Sequence, residues 1–145
     1  MAGVRPTTDA IPTAMGPENR MPRFALLEHH RDGVHWDFLL ETEPGGPLRT
    51  WAIDEEVVPG KDLPARALDD HRAVYLDFEG EVSGGRGTVL RLDRGEYEPL
   101  EWTDERVRVR LKGDQLVGEV TLRMTGGGDF GPTTRDWTFR LGNFD

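Results

Sequence analysis

The 145-residue sequence contains no cysteine, which excludes disulfide bonds, thiolate metal ligands and cysteine nucleophiles. No apolar run approaches the roughly 20 residues that a membrane-spanning helix needs. The first residues also lack the apolar stretch of a signal peptide. These absences predict a cytoplasmic protein with no membrane partner.

A net positive charge is lacking as well. The formal net charge is −9 at pH 7, whereas proteins that bind nucleic acids by general charge attraction are usually basic. A nucleic-acid partner would therefore have to be held by a local positive feature or by a bound metal ion.

The length is that of one domain, and 36% hydrophobic residues are sufficient for a single core. Residues 1–20 hold three of the ten prolines and show no hydrophobic periodicity, so we expect a flexible N-terminal leader there. Residues 21–145 then form one domain.

Most of this domain alternates apolar and polar residues with a period of two, the pattern of half-buried β-strands. Gly-rich turns separate the alternating segments, which are residues 24–28, 34–41, 74–78, 88–92, 107–111, 120–124 and 137–141. Only residues 61–68 are compatible with a short helical turn. The sequence therefore predicts an all-β fold, a small antiparallel β-barrel or sandwich with one short helical turn.

Three of the four histidines flank the turn signal Asp32-Gly33. A two-residue loop would pair His30 with His35, whereas a three-residue loop would pair His29 with His35. Only the three-residue loop puts the apolar residues of both segments on one shared face, and register follows the hydrophobic pattern. We therefore expect His29 to pair with His35.

This register has a chemical consequence. The Cβ atoms of His29 and His35 would lie about 5 Å apart, and Asp37 would project from the same face of the hairpin. Two imidazoles and a carboxylate suit a divalent metal ion, with positions left open for water or substrate. A histidine pair on a hairpin is also often only solvated, and the spacing alone does not decide between the two interpretations.

Six segments of the chain form an ordered series: EHHRDGVHWDFLLE (28–41), TWA (50–52), DDHRAVYLDFEG (69–80), GTV (87–89), DRG (93–95) and LKGDQLVG (111–118). Together they resemble the 3′-phosphoesterase domain of bacterial DNA ligase D. The resemblance implies a compact β-barrel and a Mn²⁺-dependent enzyme, with Zn²⁺ as the other candidate metal. It also implies action on DNA or RNA-primed DNA 3′ ends, where a terminal ribonucleoside and then the 3′-phosphate are removed. A separate DNA ligase and polymerase would be further partners.

The resemblance also assigns site residues. It places the metal ligands on the three residues that the hairpin register brings together, His29, His35 and Asp37. His71 falls at a histidine that contacts the phosphate or protonates the leaving oxygen. Tyr75 falls at a tyrosine that donates a hydrogen bond to the phosphate, and Asp69 at an acidic residue of the site.

The chain departs from the family at three polar positions. Leu39 stands where the family has an arginine, Leu27 where it has a glutamine, and Glu55 where it has a lysine. An arginine at such a site grips a phosphate through two hydrogen bonds and stabilises charge during transfer. Its loss indicates either an altered substrate or a weakened activity.

Local basic residues could supply the missing phosphate contact. The candidates are Arg66, Arg72 and Arg86. The last two, with Asp69, are the predicted substrate-binding residues. A stripe of arginines at positions 106, 108 and 110 could also follow a phosphate backbone, although the solvated outer face of a barrel shows the same alternation.

Two other functions stay open. The set His35, Asp37 and His71 resembles the facial triad of non-haem iron oxygenases, for which oxygen consumption with 2-oxoglutarate is the test. A metal-containing barrel that binds a nucleic-acid end or a protein partner without hydrolysis would fit the missing arginine and the negative net charge.

Overall fold

The computed structural model describes residues 20–125 and 136–143, so the predicted leader, apart from Arg20, lies outside the described residues. Nine strands account for most of the described chain. In order, β1 to β9 are Arg23–His30, Val34–Glu41, Leu48–Ile53, Asp62–His71, Gly80–Glu81, Thr88–Trp102, Arg106–Gly113, Val117–Met124 and Asp136–Asn143. A 3₁₀ turn, Ala73–Leu76, lies between β4 and β5. Within these ranges there is no helix of the length and apolarity that crossing a membrane requires.

Eight of these strands close into an antiparallel barrel. Neighbouring strands follow the order β1-β2-β3-β4-β9-β8-β7-β6, and β6 pairs with β1 to complete the ring. The short strand β5 pairs with the start of β6. Closure satisfies the backbone groups at both edges of the sheet. The predicted all-β antiparallel fold with one short helical turn is therefore confirmed, as a barrel.

The barrel interior holds the larger of two apolar cores. Alternate side chains point inward, and the largest fully buried ones include Phe24, Phe38, Trp51, Tyr97 and Phe139. Phe38 of β2 packs edge-on against Phe139 of β9, with ring centroids 5.3 Å apart. Two strands that are not neighbours in the sheet are therefore joined across the barrel interior.

The second apolar core lies on the outer face of β1 and β2. Its buried members are Ala25, Leu27, Leu39, Leu48, Leu76, Val82 and Val89. Leu76 belongs to the 3₁₀ turn, which is thereby packed onto the barrel. Because side chains alternate along a strand, the next outward positions beyond this core are His29 on β1 and Asp37 on β2. The second core therefore supports the candidate site.

Two local predictions are wrong. Residues 74–78, predicted as a strand, contain most of the 3₁₀ turn, because Leu76 packs into the second core while Val74 stays exposed. Residues 61–68, predicted as the helical turn, belong to β4, which pairs with β3 and β9. The alternation of apolar and polar residues therefore did not predict strands β3 and β4. Pairing with distant strands, which local sequence does not record, sets their conformation.

Candidate metal centre and adjoining cleft

The β1–β2 hairpin has the predicted three-residue loop. His29 pairs with His35, and Leu26 pairs with Phe38. The loop, residues 31–33, contains an aspartate and a glycine with positive φ, a conformation that these residue types tolerate well. The register argued from the shared apolar face is therefore confirmed.

His29, His35 and Asp37 bring their ligand atoms together on the outer face of this hairpin. One ligand atom from each residue lies within 4.8 Å of the other two. Asp37 Oδ1 lies 3.0 Å from His35 Nε2, and Asp37 Oδ2 lies 3.5 Å from His29 Nδ1. Asp37 is 3% exposed. His30 projects from the other face and contacts Glu28, as the register predicts.

The surroundings of Asp37 fit a cation. Its Oδ1 atom is buried and takes part in no hydrogen bond, although His35 Nε2 is only 3.0 Å away. A buried carboxylate oxygen without a partner is costly unless a positive charge compensates it. Two imidazoles and this carboxylate therefore fit a divalent ion.

A backbone contact fixes the ring of His29. Its Nε2 atom lies 2.7 Å from the carbonyl oxygen of Arg86. Because a carbonyl oxygen only accepts hydrogen bonds, Nε2 must carry the proton. The neutral ring then keeps its lone pair on Nδ1, the nitrogen that faces Asp37. Histidines that bind metals are commonly oriented in this way.

A cleft of about 440 Å³ opens beside the three residues. His29 and Asp37 line it together with four of the predicted residues, His71, Arg72, Tyr75 and Arg86. Tyr75 packs edge-on against His71 with ring centroids 5.7 Å apart, and the Arg72 guanidinium lies 6.0 Å from the Tyr75 ring centre. The backbone carbonyl of Asp69 lies 3.1 Å from His71 Nδ1, so Nε2 is the nitrogen left for a ligand.

The side chain of Asp69, predicted to bind substrate, lines a separate cavity, and its neighbour Asp70 lines the cleft instead. The pairing between β3 and β4 is irregular at this point. Strand β4 carries one extra residue between two consecutive pairs, Leu48 with His71 and Thr50 with Leu68. Such a bulge changes the face from which a side chain projects. Alternation along β4 alone therefore could not have identified Asp70.

The arginines are distributed unevenly. Arg66 does not line the cleft, and it pairs with Asp54 at 3.1 Å on another part of the surface. Arg31, which the sequence reasoning missed, lines the cleft with Arg72 and Arg86. Its position in the loop between the two paired histidines was the available signal.

The oxygenase-type triad of His35, Asp37 and His71 is not formed. Within residues 20–125 and 136–143, the only group of possible metal ligands pairs His35 and Asp37 with His29. His71 ends β4, which is separated from β2 by strand β3. The described residues therefore place the possible metal ligands on the hairpin and His71 at the adjoining cleft.

The cleft is a locally positive place on an acidic protein. Its charged lining consists of three arginines and two carboxylates: Arg31, Arg72, Arg86, Asp37 and Asp70. In three other cavities lined by described residues, carboxylates outnumber arginines. A divalent ion would add two further positive charges. Among these cavities, the cleft is therefore the one where positive side chains are in excess, on a protein with net charge −9.

The arginine stripe on β7 is occupied by ion pairs. Arg108 donates hydrogen bonds to Glu119 at 2.7 Å and to Glu101 at 3.1 Å, and Arg110 donates one to Glu98 at 3.1 Å. The hydrogen bonds to Glu119 and Glu101 raise the pKa of Arg108 above its ordinary value. The structure therefore favours the interpretation of this stripe as a solvated outer face.

Two of the departures from the family that the sequence resembles lie together in the second core. Leu39 is 0% exposed and Leu27 is 1% exposed, and both belong to the cluster that contains Leu76. Where the family has an arginine and a glutamine, this chain therefore has two apolar side chains that pack beneath the 3₁₀ turn that carries Tyr75. Neither leucine offers a charged or polar side chain to the cleft, whose arginines are Arg31, Arg72 and Arg86.

Comparison with known proteins gives a match to one family. The model of the DNA Ligase D 3′-phosphoesterase domain matches residues 27–123. The multifunctional non-homologous end joining DNA repair protein LigD of Mycobacterium tuberculosis is 31% identical over 130 residues, covering 83% of this chain and 17% of that protein. The multifunctional non-homologous end joining protein LigD of Pseudomonas aeruginosa is 33% identical over 113 residues, 71% of this chain and 13% of the relative. The chain therefore spans less than a fifth of the length of these relatives.

Proposed function

The chain belongs to the family of DNA ligase D 3′-phosphoesterase domains, and on this premise we propose that it is a metal-dependent phosphoesterase. It would act on the 3′ ends of DNA or RNA-primed DNA during DNA repair, removing a terminal ribonucleoside and the 3′-phosphate. One observation carries the proposal. The possible metal ligands His29, His35 and Asp37 adjoin a cleft in which arginines outnumber carboxylates.

The metal would be held by His29 Nδ1, His35 Nε2 and a carboxylate oxygen of Asp37. We propose Mn²⁺, with Zn²⁺ as the alternative, because the family resemblance favours manganese. Three protein ligands leave coordination positions open. When bound, such an ion polarises a phosphoryl oxygen and makes a coordinated water more acidic. The protein contributes by orienting His29 and by keeping Asp37 out of bulk water.

His71 would act as the proton donor. For a 3′-phosphate, a water oxygen bonds to phosphorus while the bond from phosphorus to O3′ breaks. The imidazolium form of His71 donates its Nε2 proton to O3′, which yields a 3′-hydroxyl and inorganic phosphate. Solvent takes the proton released by the attacking water and returns a proton to His71. For a terminal ribonucleoside, the bond to its O5′ breaks instead. Tyr75, packed against His71, would donate a hydrogen bond to a non-bridging oxygen.

Arg31 and Arg72 would replace the phosphate-binding arginine that the family has at the position of Leu39. They come from different elements, the hairpin loop and the residue before the 3₁₀ turn, and both line the cleft. Arg86 joins them, although its guanidinium donates hydrogen bonds to Ser83 in this structure. Guanidinium groups suit phosphate because they donate two hydrogen bonds in one plane.

The proposed reaction also defines the partners. Its product is a 3′-hydroxyl, the end that a polymerase extends and a ligase seals. We therefore propose a DNA ligase and a polymerase as the enzymes that use the product.

The test is incubation of the purified chain with Mn²⁺ and a primer–template duplex that ends in a 3′-phosphate or a single 3′-ribonucleoside. We expect release of inorganic phosphate from the first substrate and stepwise shortening of the second. Zn²⁺ in parallel reactions identifies the supporting metal. Arg31→Gln and Arg72→Gln should raise KM for the 3′-phosphate substrate. Arg108→Gln is the matched control, because Arg108 pairs with Glu101 and Glu119 and does not line the cleft.

Two outcomes would overturn this proposal. Tight binding of the duplex without any product would indicate a non-catalytic module for nucleic-acid ends. An equal rise in KM for Arg108→Gln and for the two cleft variants would mean that the cleft does not hold the phosphate.

A further inference from the structure

We infer that Gly87 is a positioning residue for the metal centre, because it lets the β5–β6 loop press the Arg86 carbonyl against His29. The inference rests on the proposed function only in taking His29 as a metal ligand. Gly87 would hold His29 in its ligand-ready tautomer before any ion is bound. Gly87 lies at the end of the Gly-rich connection between β5 and β6, far along the chain from the histidine that it would serve.

Close approach of the two backbones is what requires a glycine here. A Cβ atom built at Gly87 would collide with the carbonyl oxygen of His30 and crowd the Cβ of Arg31. Gly87 also has φ of +89°, a conformation that side chains other than glycine's rarely adopt. Any side chain at this position would therefore drive the loop away from the end of β1.

The loop itself is held in a defined shape. The Val82 amide donates a hydrogen bond to the Gly87 carbonyl at 2.8 Å, which closes the loop at its base. The Arg86 Nε donates to the Ser83 carbonyl at 2.8 Å, which ties the side chain of Arg86 to its own loop. With both contacts in place, the position of the Arg86 carbonyl is set by how closely Gly87 approaches β1.

That carbonyl decides which nitrogen of His29 carries the proton. With Nε2 bonded to the Arg86 carbonyl at 2.7 Å, the lone pair of the neutral ring stays on Nδ1. If the loop moved away, the proton could occupy Nδ1 and face Asp37 Oδ2, which lies 3.5 Å from it. A metal ion would then have to displace that proton. Gly87 therefore prepares the metal centre through contacts that involve no metal.

The experiment compares Gly87→Ala with Gly85→Ala in the full chain. Gly85 belongs to the same loop and also has positive φ, +71°, but a Cβ there would meet no atom within 4 Å. Both variants therefore carry backbone strain, and only Gly87→Ala adds the collision with β1. The first readout is the tautomer of His29 from its ¹⁵N side-chain shifts in metal-free protein, which distinguish Nε2–H from Nδ1–H and both from the imidazolium form. The second is the Kd for Mn²⁺ by calorimetry.

We expect the Nε2–H tautomer in the wild type and in Gly85→Ala, and its loss in Gly87→Ala. The Kd for Mn²⁺ should rise about 10- to 100-fold in Gly87→Ala relative to Gly85→Ala, the range typical of losing a partner that orients a metal ligand. An Nδ1–H tautomer in the wild type would overturn the inference even if Gly87→Ala fails to fold. Equal Kd values for the two variants would also overturn it. Neither readout uses a nucleic acid, so failure of the proposed phosphoesterase activity would be seen separately.

Discussion

His29 stands directly opposite His35 in the β1–β2 hairpin, and the two rings meet edge to face with their centroids 4.7 Å apart. The loop length determines this pairing, because a loop shorter by one residue would put His30 opposite His35. The same register places Asp37 on the same outward face as both rings. A local turn and one hydrophobic face therefore bring the three possible ligands together, and the more distant Arg86 carbonyl then orients the ring of His29.

His35→Ala should abolish the stabilisation that Mn²⁺ confers on the protein. An ion present at about 100 times its Kd stabilises the folded state by about 2.7 kcal/mol, which is measurable as a rise in Tm. The His35 variant should show no rise. His30→Ala is the matched control from the same hairpin, and it should keep the full rise because His30 contacts Glu28 on the other face. A large loss with His30→Ala would contradict the hairpin assignment.

Asp37→Asn should make the metal-free protein more stable and should abolish the further stabilisation expected from Mn²⁺. In metal-free protein the buried Oδ1 of Asp37 has no hydrogen-bond partner, and such an atom typically costs about 1–3 kcal/mol. A neutral amide removes the buried charge, so we expect the free energy of unfolding to rise by about 1 kcal/mol without metal. Addition of Mn²⁺ should reverse the order, because only the wild type gains from the ion. Urea titrations with and without Mn²⁺ provide the comparison, and an Asp37→Asn variant less stable than wild type in the absence of metal would refute this account.

The three possible metal ligands could be predicted from the sequence, because the turn and the alternating faces of both strands are encoded within 18 consecutive residues, 24–41. The opposite case is Asp70, whose place in the cleft depends on the extra residue that β4 carries against β3. The 3₁₀ turn is similar, since Leu76 finds its partners on β1 and β2. Features set by strands that are distant in sequence leave no local signal, and the family resemblance alone supplied His71 and Tyr75.

Leu39→Arg should not restore the phosphate contact that the family's arginine makes at this position. Leu39 is fully buried in the second core, so an arginine there would bring an unpaired charge among apolar side chains. We expect a loss of about 3 kcal/mol or more in the free energy of unfolding, and weaker packing of the 3₁₀ turn. Leu39→Met is the control, since a swap of similar volume usually costs less than about 1.5 kcal/mol. If the arginine variant were as stable as the methionine variant and had a lower KM, the role proposed for Arg31 and Arg72 would be wrong.

The last prediction concerns the stability of the fold in acid, which depends on the contact between Glu41 and Arg20. The Glu41 carboxylate is 0% exposed. It accepts two hydrogen bonds from Arg20 at 2.8 Å, one from the Arg23 amide and one from the Gly45 amide. Burial acts to raise the pKa of Glu41, but these hydrogen bonds, with that from Arg20 first among them, outweigh burial and hold the pKa below its ordinary value of 4.5.

A lowered pKa in the folded state means that Glu41 stabilises the fold above about pH 4.5, and that this contribution is lost as the pH falls through the lowered pKa. Glu41→Gln should therefore be less stable than wild type at pH 7, and the difference should shrink below about pH 4 in urea titrations. Arg20→Ala should cost about 2 kcal/mol at pH 7, because it leaves a buried carboxylate without its charged partner. Glu56→Gln, at an exposed glutamate, is the control and should show neither effect. A difference between wild type and Glu41→Gln that is independent of pH would show that folding does not lower the pKa of Glu41.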